Sequence, residues 1–283
     1  MKKLVSIFCA AALALSLAGC GAQAADTNTN TNTTAPVVST VYSLEDATVL
    51  TFTDSGITAQ DGGTGYEIDG TALTIDSAGT YAVTGTCADG SITIKKGTTG
   101  VTLVLNGLSL TSADTAPITC NKSTEVTIIA AEGSVNSLTD SARNNDDEYP
   151  DNEAAENAVI KCKDGSQVTL GGTGSLTITA NGKNGIKSGT TTAEEGEASL
   201  TICELTLTIN APVNDAVNAE QTLNVESGTL TIAAADDALH SDLVLNIGAE
   251  STEGPAITIT ECDEGIEGAE LNIYSGDISI NSS

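Results

Sequence analysis

Pairs of oxygen-bearing side chains recur in this chain ahead of a small and an aliphatic residue: Asn214-Asp215-Ala216-Val217, Asp236-Asp237-Ala238-Leu239 and Asp263-Glu264-Gly265-Ile266. Lys183-Asn184-Gly185-Ile186 is a basic-led earlier copy. Calcium takes about six to eight oxygen ligands from carboxylates, carbonyls and water. If the copies stack, Asn214, Asp215, Asp236, Asp237, Asp263 and Glu264 offer enough oxygen for one or two calcium ions. Asp215, Asp237 and Glu264 would then stand about 4.8 Å apart. Like charges at that spacing repel by kilocalories unless a cation intervenes.

The elements that would stack them show in the apolar pattern. Leu200-x-Ile202 is followed seven residues on by Leu207-x-Ile209, and the figure returns at Leu223/Val225 with Leu230/Ile232 and at Leu271/Ile273 with Ile278/Ile280. A repeat of roughly 22 to 24 residues with three short alternating segments predicts a coil of three strands, each coil stacking on the last. No apolar 3.6-residue period is sustained outside the first residues, whereas alternating runs such as Val101–Leu105, Val126–Ile129 and Leu176–Thr179 are everywhere. A sandwich would give similar runs but not this recurring order. The expected fold is all-β: a right-handed parallel β-helix, a solenoid with three strands per coil and an N-terminal cap. The cap is expected over residues 44–100 from Tyr66, Ile68, Leu73, Ile75, Tyr81 and Val83, hiding the open edge of the first coil.

Other segments divide the chain. Lys2 and Lys3 precede an apolar stretch, and Leu17-Ala18-Gly19-Cys20 has the form of a lipobox, so residues 1–19 read as a lipoprotein signal peptide and Cys20 as the lipid attachment. Residues 20–40, rich in Asn and Thr, read as a flexible lipid-anchored linker. Residues 41–283 remain for the β-helix, displayed on the extracytoplasmic face of the cell membrane at the bacterial surface. An insertion from Ser134 to about Asn157 interrupts the coils and reads either as a functional excursion or as a mobile acidic loop. Its Asp146, Asp147 and Tyr149 are candidate sugar contacts. Asn281-Ser282-Ser283 follows a complete apolar pair, so either the solenoid is truncated there or another element covers its last coil.

The formal net charge is -28, and loss of Lys2 and Lys3 with the leader takes it to -30. Nucleic acid and anionic lipid surfaces are poor partners for such a chain; cations and cation-bridged anions are good ones. Beyond the leader and lipobox, Cys87, Cys120, Cys162, Cys203 and Cys262 lack metal-binding spacing. Cys120 and Cys162 read as one position in successive coils, followed by Ser188, Ala219, Ser241 and Gly268. Stacked inward thiols are expected there, close enough that a disulfide stays open as an alternative.

Catalysis finds little support. An elimination would need a base, and the sole arginine, Arg143, lies in the insertion. Asp236, Asp237 and His240 are a faint likeness to the acids and histidine of polygalacturonases, without flanking glycines, and His240 reads as an outward polar residue. With no Trp, two Phe and five Tyr, ring stacking cannot dominate sugar binding; only Tyr149 and Tyr274 are placed to face a ligand. Threonine pairs such as Thr206/Thr208 are not expected to share one register across coils, which argues against an ice-binding plane.

Val101-Thr-Leu-Val-Leu-Asn-Gly-Leu-Ser-Leu110, Val126-Thr-Ile-Ile-Ala-Ala-Glu-Gly133 with the following Asn-Ser-Leu-Thr-Asp140, and Gly174–Thr179 with Asn184–Ser188 resemble the bacterial carbohydrate-binding domain family of secreted β-helix proteins. The resemblance covers about residues 48–280. It implies a pectate-lyase-like fold, calcium, and binding of acidic plant or cell-wall polysaccharide such as polygalacturonate, and also of cellulose. Ala216 and Ala238 depart from it where Gly is expected. The expectation is non-catalytic, calcium-dependent polysaccharide binding, with a structural or adhesive stalk as the alternative.

Overall fold

Alternation of apolar with Thr, Asn or Ser leaves a strand one buried face and one wet one. In the computed structural model, which describes residues 42–60, 62–249 and 253–282, the regular elements of the described residues are all strands, 23 of them. The leader over 1–19, Cys20 and the linker over 20–40 lie outside the described residues.

Three parallel ladders carry the fold. The first runs through Ser91–Ile94, Ile118–Cys120, Ala158–Cys162, Asn184–Ser188, Val217–Ala219 and the starts of Leu239–Ile247 and Ile266–Ile273. The second runs through Glu125–Ala130, Gln167–Gly171, Ser199–Ile202, Leu223–Val225 and the ends of the same two long strands. The third joins Val135–Asp140, Ser175–Thr179, Thr206–Ala211, Thr229–Ala234, Ala256–Glu261 and Asp277–Ile280. The chain visits them in one fixed order, so each strand pairs with its counterpart one repeat later.

Register places like on like. Leu200, Leu223, Leu245 and Leu271 align, as do Ile202, Val225, Ile247 and Ile273. Such side chains are buried until the last rung, and each contributes about 1.5–3 kcal/mol by leaving water. On that rung Leu271 is 43% exposed and Ile273 54%. Asn136 takes an inward position of the third ladder, yet its amide is fully used. Its Oδ1 accepts from the backbone N–H of Gly107 and Leu108, and its Nδ2 donates to Ser134 Oγ and the Ser175 carbonyl.

The cap is smaller than expected. Ala72–Ile75 already pairs in parallel with Ser91–Ile94, and Gly79–Cys87 with Val101–Ser112, so Leu73, Ile75, Tyr81 and Val83 belong to the regular core. Only the antiparallel strands Gly56–Ala59 and Tyr66–Asp69 break the pattern, with Ile68 on their exposed surface. The hairpins interrupt the spacing and hide that early regularity from a periodicity reading. The insertion is also shorter, because Val135–Asp140 is a strand of the third ladder and the excursion starts at Ser141.

Cys120 and Cys162 are register partners, and the positions that follow are Ser188, Ala219, Ser241 and Gly268. Both thiols are free and buried. A hydrogen bond with Cys162, then burial, pushes the Cys120 thiol well up, away from the reactive thiolate. We expect both to resist alkylation in native buffer and to label together once the protein is unfolded. Labelling of either in the folded protein, read by intact mass, would show the register slipped, since a one-residue slip turns an inward side chain outward.

Candidate functional site

The polar pairs precede the first-ladder strands. Gly185, Ala216, Ala238 and Gly265 align through Ile186, Val217, Leu239 and Ile266, which stacks Asn184, Asp215, Asp237 and Glu264. The small residue is a steric requirement: a Cβ on Gly185 would lie 2.5 Å from the Ala216 carbonyl oxygen. Ala216 and Ala238 fit fully buried and keep the backbone ladder, donating to the Asp237 and Glu264 carbonyls at 2.8 and 2.9 Å. Alanine in place of glycine therefore leaves the turn intact.

Of the six sequence candidates, Asp215, Asp236 and Asp237 come together, with one carboxylate oxygen from each within 4.8 Å of the others. Asp215 and Asp237 are buried, while Asp236 is exposed. Asp215 Oδ1 accepts from the Asp237 N–H at 3.2 Å and its Oδ2 from Asn218 Nδ2 at 2.5 Å. Asp237 Oδ1 is buried without a hydrogen-bond partner. Asn214 instead donates to Asn184 Oδ1 at 2.7 Å, and Asp263 and Glu264 face solvent outside the cluster.

Sequence reasoning missed a second group, Asp237, His240 and Glu267, that shares a carboxylate with the first. His240 Nδ1 lies 3.1 Å from both Asp237 Oδ2 and Glu267 Oε2, and Nε2 lies 2.9 Å from Asp242 Oδ1. The signal was the register: His240 pairs with Glu267 across the first ladder. Burial alone would lower the His240 pKa, but the Asp242 hydrogen bond and the charges of Asp237 and Glu267 hold it above its usual value. Burial, then the Asp215 charge, pushes Asp237 from 3.8 up to about 6, against the pull of His240.

The excursion over residues 141–157 is tied down by buried asparagines. Asn144 donates to the Ala158 carbonyl and to Asp140 Oδ2, and accepts from the N–H groups of Glu156 and Asn157, so one side chain closes both ends. Asn152 Nδ2 donates to the carbonyls of Asp114 and Arg143, and Asn145 Nδ2 to that of Gly182. Two of the three proposed sugar contacts have side-chain partners here. Asp146 is exposed, Asp147 pairs with Lys183, and the Arg143 guanidinium sits 5.5 Å above the half-buried Tyr149 ring, occupying that face. Arg143 is held by Asp114 at 2.6 Å. Tyr274 is 50% exposed on the last rung.

The outward residues of each ladder also stack. The first ladder shows Thr93, Thr119, Lys161, Lys187, Asn218, His240 and Glu267; the second has Thr127, Thr169 and Thr201 followed by Asn224, Asn246 and Asn272. On the third ladder Ser137, Thr177, Thr208, Thr231, Thr258 and Ser279 form one row, with Ser175, Thr206 and Thr229 beside it. The expectation that threonine pairs would not share a register is overturned, because loops of unequal length between strands conceal equal positions within them.

A family model described as carbohydrate-binding domain-containing protein matches residues 69–283. No curated protein matches at a significant level. The chain is similar to a solved structure described as the polysaccharide lyase-like protein from C. thermocellum, gadolinium derivative. The two are 24% identical with a TM-score of 0.58, over 82% of this chain and 99% of that one. At that identity the likeness is one of fold.

The raised Asp237 pKa fixes a pH dependence. Its neutral form is favoured in the folded state, so that contribution to stability is whole below pH 3.8 and is lost as pH rises through about 6. In chelator at pH 7, Asp237→Asn should therefore melt higher than the parent, and the gain should vanish near pH 4. A variant that melts lower at pH 7 would mean that the His240 contact outweighs the buried charge.

Proposed function

The chain belongs to the carbohydrate-binding domain-containing family, and from that premise we propose that it binds acidic polysaccharide without turning it over, through calcium held by Asp215, Asp236 and Asp237. The observation that carries the reading is the buried, unpartnered Asp237 oxygen within a three-carboxylate cluster. Burying a carboxylate oxygen without a hydrogen bond is costly, and a hard cation is the partner that oxygen clusters accept. Calcium there would neutralise the stacked acids and give a uronate carboxylate something to bind on a chain of net charge -28. Asn214, Asp263 and Glu264 leave the proposed ligand set because they are turned elsewhere.

The fixed order of the three ladders and the pairing of each strand with its counterpart one repeat later support reading them as coils of a right-handed parallel β-helix, three strands per coil. Attachment through Cys20, display at the cell surface and the linker to residue 40 rest on the sequence pattern. The non-catalytic reading is supported by the position of Arg143, committed to Asp114 and Tyr149 away from the carboxylate cluster. A second reading has one observation in its favour. The third ladder's outward Ser/Thr rows carry no charge from Ser175 to Thr258, which suits a regular neutral surface such as cellulose.

On immobilised polygalacturonate, retention should require calcium and weaken as salt screens the bridged contacts. Chelator should also lower the melting temperature, since a ion held by the native state alone adds RT ln(1 + [L]/Kd) to stability, and should do so less in an Asp215→Asn/Asp237→Asn variant. Retention indifferent to chelator would remove calcium from the account. Retention on cellulose but not on polygalacturonate would favour the neutral face.

A further inference from the structure

Positive charge is scarce here, and most of it is already spent. Among the described residues, Lys96 pairs with Glu195, Lys122 with Asp164, Arg143 with Asp114, Lys163 with Glu156, Lys183 with Asp147 and Lys187 with Glu220. Lys161 has no carboxylate at ion-pairing distance, although it is partly buried. It stands in the outward row of the first ladder, between Thr119 and Lys187, with Asn218 beyond. Two irregular segments border this row. The excursion over 141–157 meets the start of the strands at Asp114, Ala158 and Gly182. Residues 190–197 meet their ends, through Glu195 to Ser123 and Lys96 and through the Thr190 carbonyl to Gly165.

We propose that Lys161, with Lys187 beside it, is the carboxylate-recognition subsite for an acidic glycan lying along this row. The inference deepens the polysaccharide-binding reading and rests on it. In-register side chains of a parallel ladder recur about every 4.8 Å, close to the length of one sugar residue, so a chain laid across the strands meets the partly exposed Lys161, Lys187 and Asn218 in turn, with Thr119 buried at the head of the row. The same row leads to His240 and Glu267 beside the carboxylate cluster. Cation-bridged and lysine-bound carboxylates then sit along one track. Burial, then the Lys187 charge, holds the Lys161 pKa below its usual value. An incoming carboxylate offsets the Lys187 repulsion and compensates the buried ammonium with an opposite charge, a gain that a surface lysine already paired would not make.

The test measures trigalacturonate and cellohexaose binding by calorimetry in calcium for the wild type, Lys161→Gln, Lys187→Gln and the exposed, unpaired Lys95→Gln. It also measures the acetylation rate of Lys161 in the wild type with and without trigalacturonate. The expected results are loss of about tenfold or more in trigalacturonate affinity for Lys161→Gln, little change for Lys95→Gln, and protection of Lys161 from acetylation. The acetylation arm decides the matter if Lys161→Gln does not fold. Wild-type binding with equal affinity in Lys161→Gln and no protection would overturn the subsite while leaving the polysaccharide reading standing. No trigalacturonate binding by the wild type would overturn both. An ultraviolet-absorbing product made by the wild type and lost in Lys161→Gln would also overturn it, by making Lys161 a base.

Discussion

The interaction on which everything else depends is the in-register burial of one aliphatic row per ladder. Ile118, Ile160, Ile186, Val217 and Leu239 stack inward. Because strand side chains alternate, burying them obliges Thr119, Lys161, Lys187, Asn218 and His240 to stack outward. The outward rows are thus consequences of the core: no residue on them can be moved to another rung without also moving its apolar neighbour.

Stacking like on like suits aliphatic side chains and is hard on charges, and the three outward faces meet that problem differently. On the second ladder, amides solve it, since each is both donor and acceptor: Asn272 donates to Asn246, Asn246 to Asn224, and Asn224 to Thr201. The third ladder uses hydroxyls instead, and its Ser/Thr rows carry no charge from Ser175 to Thr258. The first ladder stacks charges of both signs, and nearby carboxylates and lysines are mostly cross-linked, as Lys187 to Glu220 and His240 to Asp237, Asp242 and Glu267. What those pairings leave over, the Asp237 oxygen and the Lys161 ammonium, is the chemistry available to a ligand.

Much of this was legible because equal spacing survives in the sequence. The seven-residue step placed Leu200/Ile202 beside Leu207/Ile209, the inward cysteines were aligned from neighbouring residues alone, and the polar pairs were recognised as equivalent turns. Legibility ends where connections change length. Leu245/Ile247 and Ile257/Ile259 form a full rung, yet twelve residues separate Leu245 from Ile257, so the pair escaped the pattern. The early rungs are masked by hairpins, and the threonine register by unequal loops. Candidate sites suffer more, because a turn can point an acid either way: Asp237 is buried and Glu264 exposed at the same position of adjacent rungs. The difference arises from cover. Asp237 lies beneath a further rung that begins at Ile266, whereas Glu264 stands on that last rung, where even Ile273 is half exposed.

Charge also sets how such a chain could hold a polyanion. A net charge of -28 repels uronate chains at long range, and screening confines that repulsion to about 8–10 Å at physiological salt. Attraction must therefore be generated within contact distance, from a few sites that have been stripped of water. A lysine with a free ammonium beside a paired one, and a carboxylate cluster short of a partner, are such sites, and the first ladder aligns them along one row. Most lysines elsewhere on the acidic surface are instead neutralised by their neighbours, as Lys122 is by Asp164 and Lys183 by Asp147. The excursion over 141–157 consumes Lys163 and Lys183 in its own anchoring, through Glu156 and Asp147. By taking up the basic residues on either side, it isolates Lys161 as the one partly buried cation among the described residues that has no carboxylate partner.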